Sequence, residues 1–168
     1  MKPHRIILAA CLAVLTLATA LHVAAQGPGA AGNNPDLIEA RKYTLTMDKI
    51  NKLAAAMDDI NNLLASNPDL KNKMNAGDNN KPMDQQAKNI DANFPQVAAI
   101  IRGHGLTTRE FILVTVAFVN DVTFVGMKKQ GVIKDYPPNS VTPENAAFVE
   151  ANFDKLQQIG QRLSPQQN

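Results

Sequence analysis

Residues 106–129 read LTTREFILVTVAFVNDVTFVGMKK, and this stretch decides the fold class. Its β-branched residues could by themselves form a buried strand. Thr107 and Glu110, however, have the spacing of a capping box, in which two side chains satisfy free amides at the start of a helix. The apolar pattern also continues beyond the length of an ordinary strand. The sequence therefore predicts a helix over residues 108–129.

We expect this stretch to be the central helix of the protein. The apolar side chains that share one face of its helical projection are Phe111, Phe118, Val122 and Val125. Thr115 and Gly126 are small and fall near the centre of that face, where they would let a neighbouring helix approach closely. Glu110, Asp121 and Lys128 fall on the opposite side. The projection therefore predicts that Asp121 faces solvent, although it interrupts an apolar segment.

Two other long helices are predicted on either side of it. Residues 47–66 form the clearest amphipathic pattern, with apolar residues at three- and four-residue steps. Thr46 is the expected N-cap of that helix, and Leu45 can pack on Ile50 as a hydrophobic staple. The last helix is expected to begin after Thr142, its N-cap, with a proline in the first turn.

Shorter helices are predicted between the long ones. Asn34 and Asn67 each precede Pro-Asp-Leu, which places a capping residue before a proline in the first turn. Residues 83–91 have helical spacing, and Asn93 is expected to cap a further helix that ends at Gly103. Strand-type alternation is nowhere convincing. The sequence thus predicts an all-α fold, a small helical bundle of three or four longer helices plus short helices.

The first 25 residues have the features of a secretory signal peptide. Lys2 and Arg5 precede a long apolar stretch, and residues 23–25 (Val-Ala-Ala) offer small side chains at the positions that a signal peptidase reads. Cleavage near Ala25 predicts an exported chain, periplasmic or secreted, that meets the membrane only through the transient leader. Two alternatives stay open. One is an uncleaved membrane anchor, and the other is a lipoprotein modified at Cys11, which follows Leu-Ala-Ala.

The remaining chain suits one domain. Residues 26–34 are predicted to form a flexible tether, because they are rich in glycine and alanine. Residues 35–163 are then expected to fold as a single all-helical domain that is long enough for a real core. Residues 164–168 are expected to form a frayed tail.

Cysteine and charge counts exclude several classes of protein. Cys11 is the only cysteine of the chain, so the exported part has no disulfide framework and no thiolate chemistry. Without Lys2 and Arg5, the 17 basic residues fall to 15 and equal the 15 acidic ones. This balance does not resemble the basic footprint of a nucleic-acid-binding domain. We therefore expect no nucleic-acid partner.

Two residues are candidates if a site exists. His104 is the only one of the three histidines outside the first 25 residues. It lies between Gly103 and Gly105, in a predicted corner between two helices, where we expect a partly exposed turn residue. Asp121 is the second candidate because it interrupts an apolar helix. No catalytic, cofactor-binding or metal-binding role is assigned to either residue.

The residue types of the exported chain argue against most metal and cofactor sites. A single histidine and no cysteine exclude a zinc site of histidine and cysteine ligands in the exported chain. The adjacent Asp58 and Asp59 point about 100° apart on a helix, as expected of a solvated face. His104 and a methionine could ligate haem. Because Met47 and Met57 belong to an apolar stripe and no CxxCH motif occurs, we expect no cofactor.

Three segments carry a resemblance to known proteins. They are GHGLTTREFILVTVAFVN (residues 103–120), LTMDKINKLAAAM (residues 45–57) and VTPENAAFVEANFDKL (residues 141–156). Together they resemble a family of small exported all-helical bacterial proteins of unknown function, over most of residues 44–160. The resemblance implies a helical fold and export, and it implies no activity.

The Leu-Thr pairs at Leu45 and Leu106 also resemble the LTxxQ motif of periplasmic helical stress chaperones. Both segments, LTMDK and LTTRE, lack the final glutamine of that motif. A hydrophobic staple followed by an N-cap accounts for both pairs without common ancestry. A chaperone-like protein is therefore an alternative to the readings that follow.

Two hypotheses on function stay open. The first is a non-enzymatic envelope or secreted protein that binds a partner protein or an apolar ligand through its helical surface. The second is an enzyme with an unrecognised carboxylate site or a site at His104. The exported chain contains few residues of the types that commonly act in catalysis, and this favours the first hypothesis.

Overall fold

The computed structural model describes residues 34–76 and 81–163. That part of the chain is all-helical and contains no strand, as the sequence predicts. Its helices are, in chain order, α1 (Pro35–Lys42), α2 (Met47–Ser66), α3 (Pro68–Asn75), α4 (Met83–Asn93), α5 (Pro95–Gly103), α6 (Thr108–Lys129) and α7 (Pro143–Leu163). The predicted signal peptide (1–25), the tether up to residue 33 and the predicted tail (164–168) lie outside the described residues.

Polar side chains cap most of the helix starts. Thr46, Thr107 and Thr142 each accept a hydrogen bond through Oγ1 from the backbone amide three residues later, at 3.0 to 3.3 Å. Asn34 and Asn67 accept equivalent bonds at the starts of α1 and α3, each of which has a proline in its first turn. These bonds satisfy amides that have no partner within the helix.

The capping box at the start of α6 forms only in part. The backbone amide of Glu110 donates to Thr107 Oγ1 at 3.0 Å. The Glu110 carboxylate instead accepts a hydrogen bond of 2.7 Å from the hydroxyl of Tyr43, in the linker between α1 and α2. The carboxylate thus ties that linker to α6 rather than reaching back to the cap residue.

The prediction that Asn93 caps α5 is wrong. Helix α4 continues to Asn93, whose side-chain amide donates to Asn89 on the preceding turn at 2.7 Å. A residue with helical backbone cannot adopt the extended conformation of an N-cap. The N-cap of α5 is Phe94, which makes no side-chain capping bond.

Helix α6 lies at the centre of the described structure. It packs against α1, α2, α4, α5 and α7. The largest apolar cluster joins α6 to α2 and α7 and contains, among others, Ile50, Leu53, Phe118, Val149 and Leu156. A second cluster joins the opposite side of α6 to α1 and α4. Because partners cover it on several sides, α6 has no fully solvated face.

The approach of α7 to α6 confirms one expectation for a small residue. A Cβ atom placed on the buried Gly126 would lie 3.4 Å from Cζ of Phe153 on α7. A side chain larger than alanine at this position would push against the Phe153 ring. Gly126 therefore lets the two helices pack closely near the C-terminal end of α6.

By length and composition, α6 is the one helix in the described ranges that is apolar enough to cross a membrane. The central helix of a water-soluble domain commonly has the same composition. In this structure, side chains of five other helices lie against it.

Candidate functional site

Asp121 is buried, and the prediction that it faces solvent is wrong. Its side chain is 0% exposed. The residues one turn before and after it, Ala117 and Val125, and the residue two turns before it, Val114, are equally inaccessible. The apolar arc of α6 is thus wider than the face that the helical projection predicts, and it includes Asp121.

Asn145, on the first turn of α7, connects Asp121 to the linker between α1 and α2. Its Nδ2 donates to Asp121 Oδ2 at 2.7 Å and to the carbonyl oxygen of Tyr43 at 2.8 Å. Its Oδ1 accepts from the backbone amide of Leu45 at 3.0 Å. The Asn145 side chain is 1% exposed, so these bonds lie in the interior, where unpaired polar groups are costly.

Asn120 connects Asp121 to the loop between α6 and α7. Its Nδ2 lies 2.8 Å from Asp121 Oδ1 and 2.7 Å from the carbonyl oxygen of Ser140. Ser140 is itself buried, and its Oγ has no hydrogen-bond partner in the structure. Hence both carboxylate oxygens of Asp121 accept from side-chain amides.

A tight turn holds Ser140 in place. The backbone amide of Ser140 donates to the carbonyl oxygen of Pro137 at 3.1 Å. Asn139 adopts a left-handed backbone conformation with φ of 60°, which asparagine tolerates better than most residues. The turn directs the chain back towards α6 before Thr142 starts α7.

Burial dominates the electrostatics of this network. It raises the pKa of the Asp121 carboxyl from 3.8 to about 6, against the opposing effect of the hydrogen bonds from Asn120 and Asn145. A carboxylate in the interior normally has a cation beside it. Among the described residues, no ion pair involves Asp121. Two neutral amides, without a cation, therefore stabilise its negative charge.

His104, the other sequence candidate, lies away from the hydrogen-bond network of Asp121. It lies in the turn between α5 and α6, and its Nε2 is 2.7 Å from Asp59 Oδ2 on α2. Its side chain is 28% exposed, in agreement with the expectation of a partly exposed turn residue. Thirteen helical residues separate the start of α6 from Asp121, or about 20 Å along the axis. The structure thus does not bring the two candidates together.

Surface ion pairs join further helices, and their residues were not singled out from the sequence. The guanidinium of Arg109 on α6 contacts both carboxylate oxygens of Glu39 on α1, at 2.7 and 2.8 Å, and also Asp84 on α4. This hydrogen-bonded guanidinium holds the pKa of Glu39 below its usual range. The pair is partly exposed and serves to hold α1 and α4 on α6.

The two tyrosines have matching surroundings at opposite ends of α6. Tyr43 donates its hydroxyl to Glu110 at 2.7 Å, and the ammonium of Lys49 lies 4.1 Å from the ring centroid. Tyr136 donates to Glu150 at 2.7 Å, and Lys128 lies 4.3 Å from its ring centroid. Burial and the adjacent carboxylates raise the pKa of both phenols.

The described residues include no group of three or more histidine, cysteine, aspartate or glutamate side chains that could hold a metal ion. A shallow, open depression lined by Lys129 and residues 150–155 lies on α7 near the end of α6. Neither sequence candidate lines it.

Comparisons of the chain with protein-family models, with curated proteins and with solved structures find no significant match. The resemblance to small exported helical proteins therefore stays a prediction, and the functional argument rests on the residues of this chain.

Proposed function

We propose that the protein is a non-enzymatic exported helical protein that binds a partner protein or an apolar ligand, in the cell envelope or outside the cell. The observation that carries this proposal is the burial of Asp121. Its carboxylate is 0% exposed, and both of its oxygens accept from asparagine amides. Asp121, the most unusual polar side chain of the described structure, thus holds interior segments together and is not accessible to a substrate.

The surface supports binding over catalysis. Most of its charged contacts are ion pairs between helices, such as those of Arg109, which use the charges to hold the fold. Among residues 34–76 and 81–163, two large apolar side chains are exposed, Val132 after α6 at 60% and Ile38 on α1 at 38%. An exposed apolar side chain has more to gain from contact with a partner than a solvated charge. As part of this proposal, α2, α6 and α7 form a helical bundle that the shorter helices complete.

Photocrosslinking in a bacterial host that exports the chain tests this proposal. A photoreactive phenylalanine analogue replaces Val132 or Ile38 in the full-length protein, with the exposed Ala92 on α4 as the control position. We expect an adduct of defined mass at position 132 or 38 and none at 92. Intact mass separates a protein partner from a small apolar ligand. Absence of an adduct at both positions, or equal adducts at all three, would contradict the proposal.

Intact mass of the same product tests export. A chain that begins near Gln26 is expected from cleavage after Ala25. A product that begins at a lipidated Cys11 would establish the lipoprotein alternative. A full-length, membrane-bound product would establish the uncleaved anchor.

One observation favours the enzyme alternative. The Nε2 of His104 lies 2.7 Å from Asp59 Oδ2, and a carboxylate in this position can orient an imidazole for proton transfer. No serine, threonine or tyrosine hydroxyl among the described residues forms a hydrogen bond with His104. This pair of His104 and Asp59 is partly exposed. The stability and ligand binding of a His104 variant, as described in the Discussion, test whether His104 has a functional role.

A further inference from the structure

Asp121 lies where four segments of the chain meet. Asn145 brings the start of α7 and the linker 43–45 to its Oδ2. Asn120 brings the Ser140 carbonyl, and with it the loop between α6 and α7, to its Oδ1. A single carboxylate therefore organises the contact of the linker, the loop and α7 with the middle of α6.

The hydrogen bonds around Asp121 favour its ionised form. Both of its oxygens face N–H donors, at 2.7 and 2.8 Å. An ionised carboxylate is acceptor-only, whereas a protonated one carries an O–H donor on one of its oxygens. The oxygen that takes the proton loses its negative charge and becomes a weaker acceptor for the amide N–H of Asn120 or Asn145. Protonation therefore weakens the bond of at least one of these two amides to Asp121.

We propose that Asp121 is a proton-operated latch: uptake of one proton at its carboxyl releases Asn145 or Asn120, and thereby loosens the linker 43–45 and the start of α7 from α6 while the helices stay folded. Asn145 is the route of this effect. Its remaining bonds go to Tyr43 and Leu45 in the linker, so a movement of its side chain is passed to that segment.

Burial sets the pH range in which the latch works. It raises the pKa of Asp121 to about 6, so the proton binds in mildly acidic solution. The titratable and charged side chains on the segments around the network include Arg41, Lys42, Tyr43, Lys49, Glu110, Lys134, Asp135, Tyr136 and Glu144. Burial raises the pKa of Asp121, the hydrogen bonds from the two asparagine amides lower it, and none of these charged groups is among the causes of the shift. The latch therefore responds to pH through one group.

Nuclear magnetic resonance on the full chain, from about pH 7.5 to about pH 4.5, tests the proposal. The carboxyl carbon of Asp121 and the side-chain amides of Asn120 and Asn145 should titrate together, with a midpoint near pH 6. Below that midpoint, the protection of the Leu45 backbone amide against hydrogen exchange should fall about fivefold or more, the equivalent of one hydrogen bond.

The direction of this change separates the latch from global unfolding. A buried carboxyl with a raised pKa adds stability as the pH falls, so its effect on global unfolding would make Leu45 better protected in acid. Urea denaturation at each pH measures the opposite contribution of Glu39 and Glu150, whose pKa values are lowered. Protection that holds or rises as the pH falls would therefore overturn the latch. So would asparagine amide resonances that do not move.

Three variants keep the test interpretable. Asn120→Ala removes one donor to the carboxylate, so the midpoint should move to higher pH. Asp121→Asn should abolish the titration, and the wild-type data decide alone if this variant fails to fold. His104→Gln is the matched control, because it removes the only histidine outside residues 1–25, and it should leave the midpoint in place. Loss of the midpoint in His104→Gln would assign the transition to the histidine and overturn the proposal.

Discussion

Asn145 on α7 and Asp121 on α6 are joined by a hydrogen bond of 2.7 Å, although 24 positions separate them in the sequence. Both residues are buried. The start of α7 is therefore positioned by polar bonds in the interior, and apolar packing takes over from Val149 onwards. This division allows the two kinds of contact to be tested separately.

Removal of the Asn145 amide should be costly. Asn145→Ala leaves the Leu45 amide, the Tyr43 carbonyl and one oxygen of Asp121 without this partner. We expect a loss of about 3 kcal/mol in the free energy of unfolding, because buried polar groups lose their hydrogen bonds. Urea denaturation measures it. Asn152→Ala is the control, since within the described residues that amide bonds only the Phe148 carbonyl of its own helix, and it should cost less than about 1 kcal/mol. Equal losses would contradict the role of Asn145.

Asp121 should make stability depend on pH. Its pKa is raised in the folded protein, so the fold binds more protons than the unfolded chain between about pH 4 and about pH 6. Stability contributed by this group is then fully present below pH 3.8 and is lost as the pH rises through about 6. The difference corresponds to about 3 kcal/mol. Denaturation of the wild type and of Asp121→Asn across this range measures it, and parallel pH profiles would refute the assignment.

Phe118 should be a main contributor to the core between α2, α6 and α7. Its side chain is buried in the largest apolar cluster. Phe118→Ala should cost about 3–5 kcal/mol, through lost apolar burial and the cavity left behind. Phe124, on the same helix, is only partly buried, and Phe124→Ala should cost less than about 2 kcal/mol. Thermal and urea denaturation compare the two. An unchanged stability of Phe118→Ala would contradict the packing of α6 against α2 and α7.

Two glycines should respond in opposite ways to alanine. At Gly126, an added Cβ would make an ordinary contact of 3.4 Å with the Phe153 ring. Since alanine also favours the helix, Gly126→Ala should stabilise by up to about 1 kcal/mol. Gly105 has a φ of 75°, which other residues adopt only with strain, so Gly105→Ala should destabilise by about 1 kcal/mol. The same sign of change at both positions would contradict the structure.

His104 should contribute little to stability. Its bond to Asp59 joins two partly exposed side chains, and such pairs are worth less than about 1 kcal/mol. His104→Ala and Asp59→Ala should therefore each cause small changes in melting temperature. Absorbance spectra with added haem and with divalent metals complete the test. A change that depends on His104 would identify it as a ligand and would favour the enzyme alternative over the binding protein.

Most of the helical organisation was predictable, because it follows from local patterns. The bounds of α2 and α6 follow from caps and apolar spacing, and the threonine at the start of each helix makes the expected bond. The start of α5 was missed because Asn93 suits a cap chemically, but α4 runs through it. Local patterns fix where helices begin when no neighbouring helix competes for the same residue.

The buried network was not predicted, although part of its signal was present. Asp121 lies four residues from Ala117 and from Val125, which places it on their side of a helix. Asn145 shares a face with Val149, one turn further along α7, in the same way. Each residue taken alone suggests a solvated polar group. Only the tertiary contact of α6 with α7 shows that the two satisfy each other.

The two tyrosines give the protein an optical reporter at each end of its central helix. The chain has no tryptophan and only these two tyrosines, and each phenol donates to a carboxylate. A phenol that is bonded to a carboxylate emits weakly, and its fluorescence recovers when the bond breaks. Emission from Tyr43 therefore follows the docking of the linker on the start of α6, and emission from Tyr136 follows the loop beside its end. Replacing either one with phenylalanine leaves a single signal, so fraying at the two ends can be timed independently in the unlabelled protein.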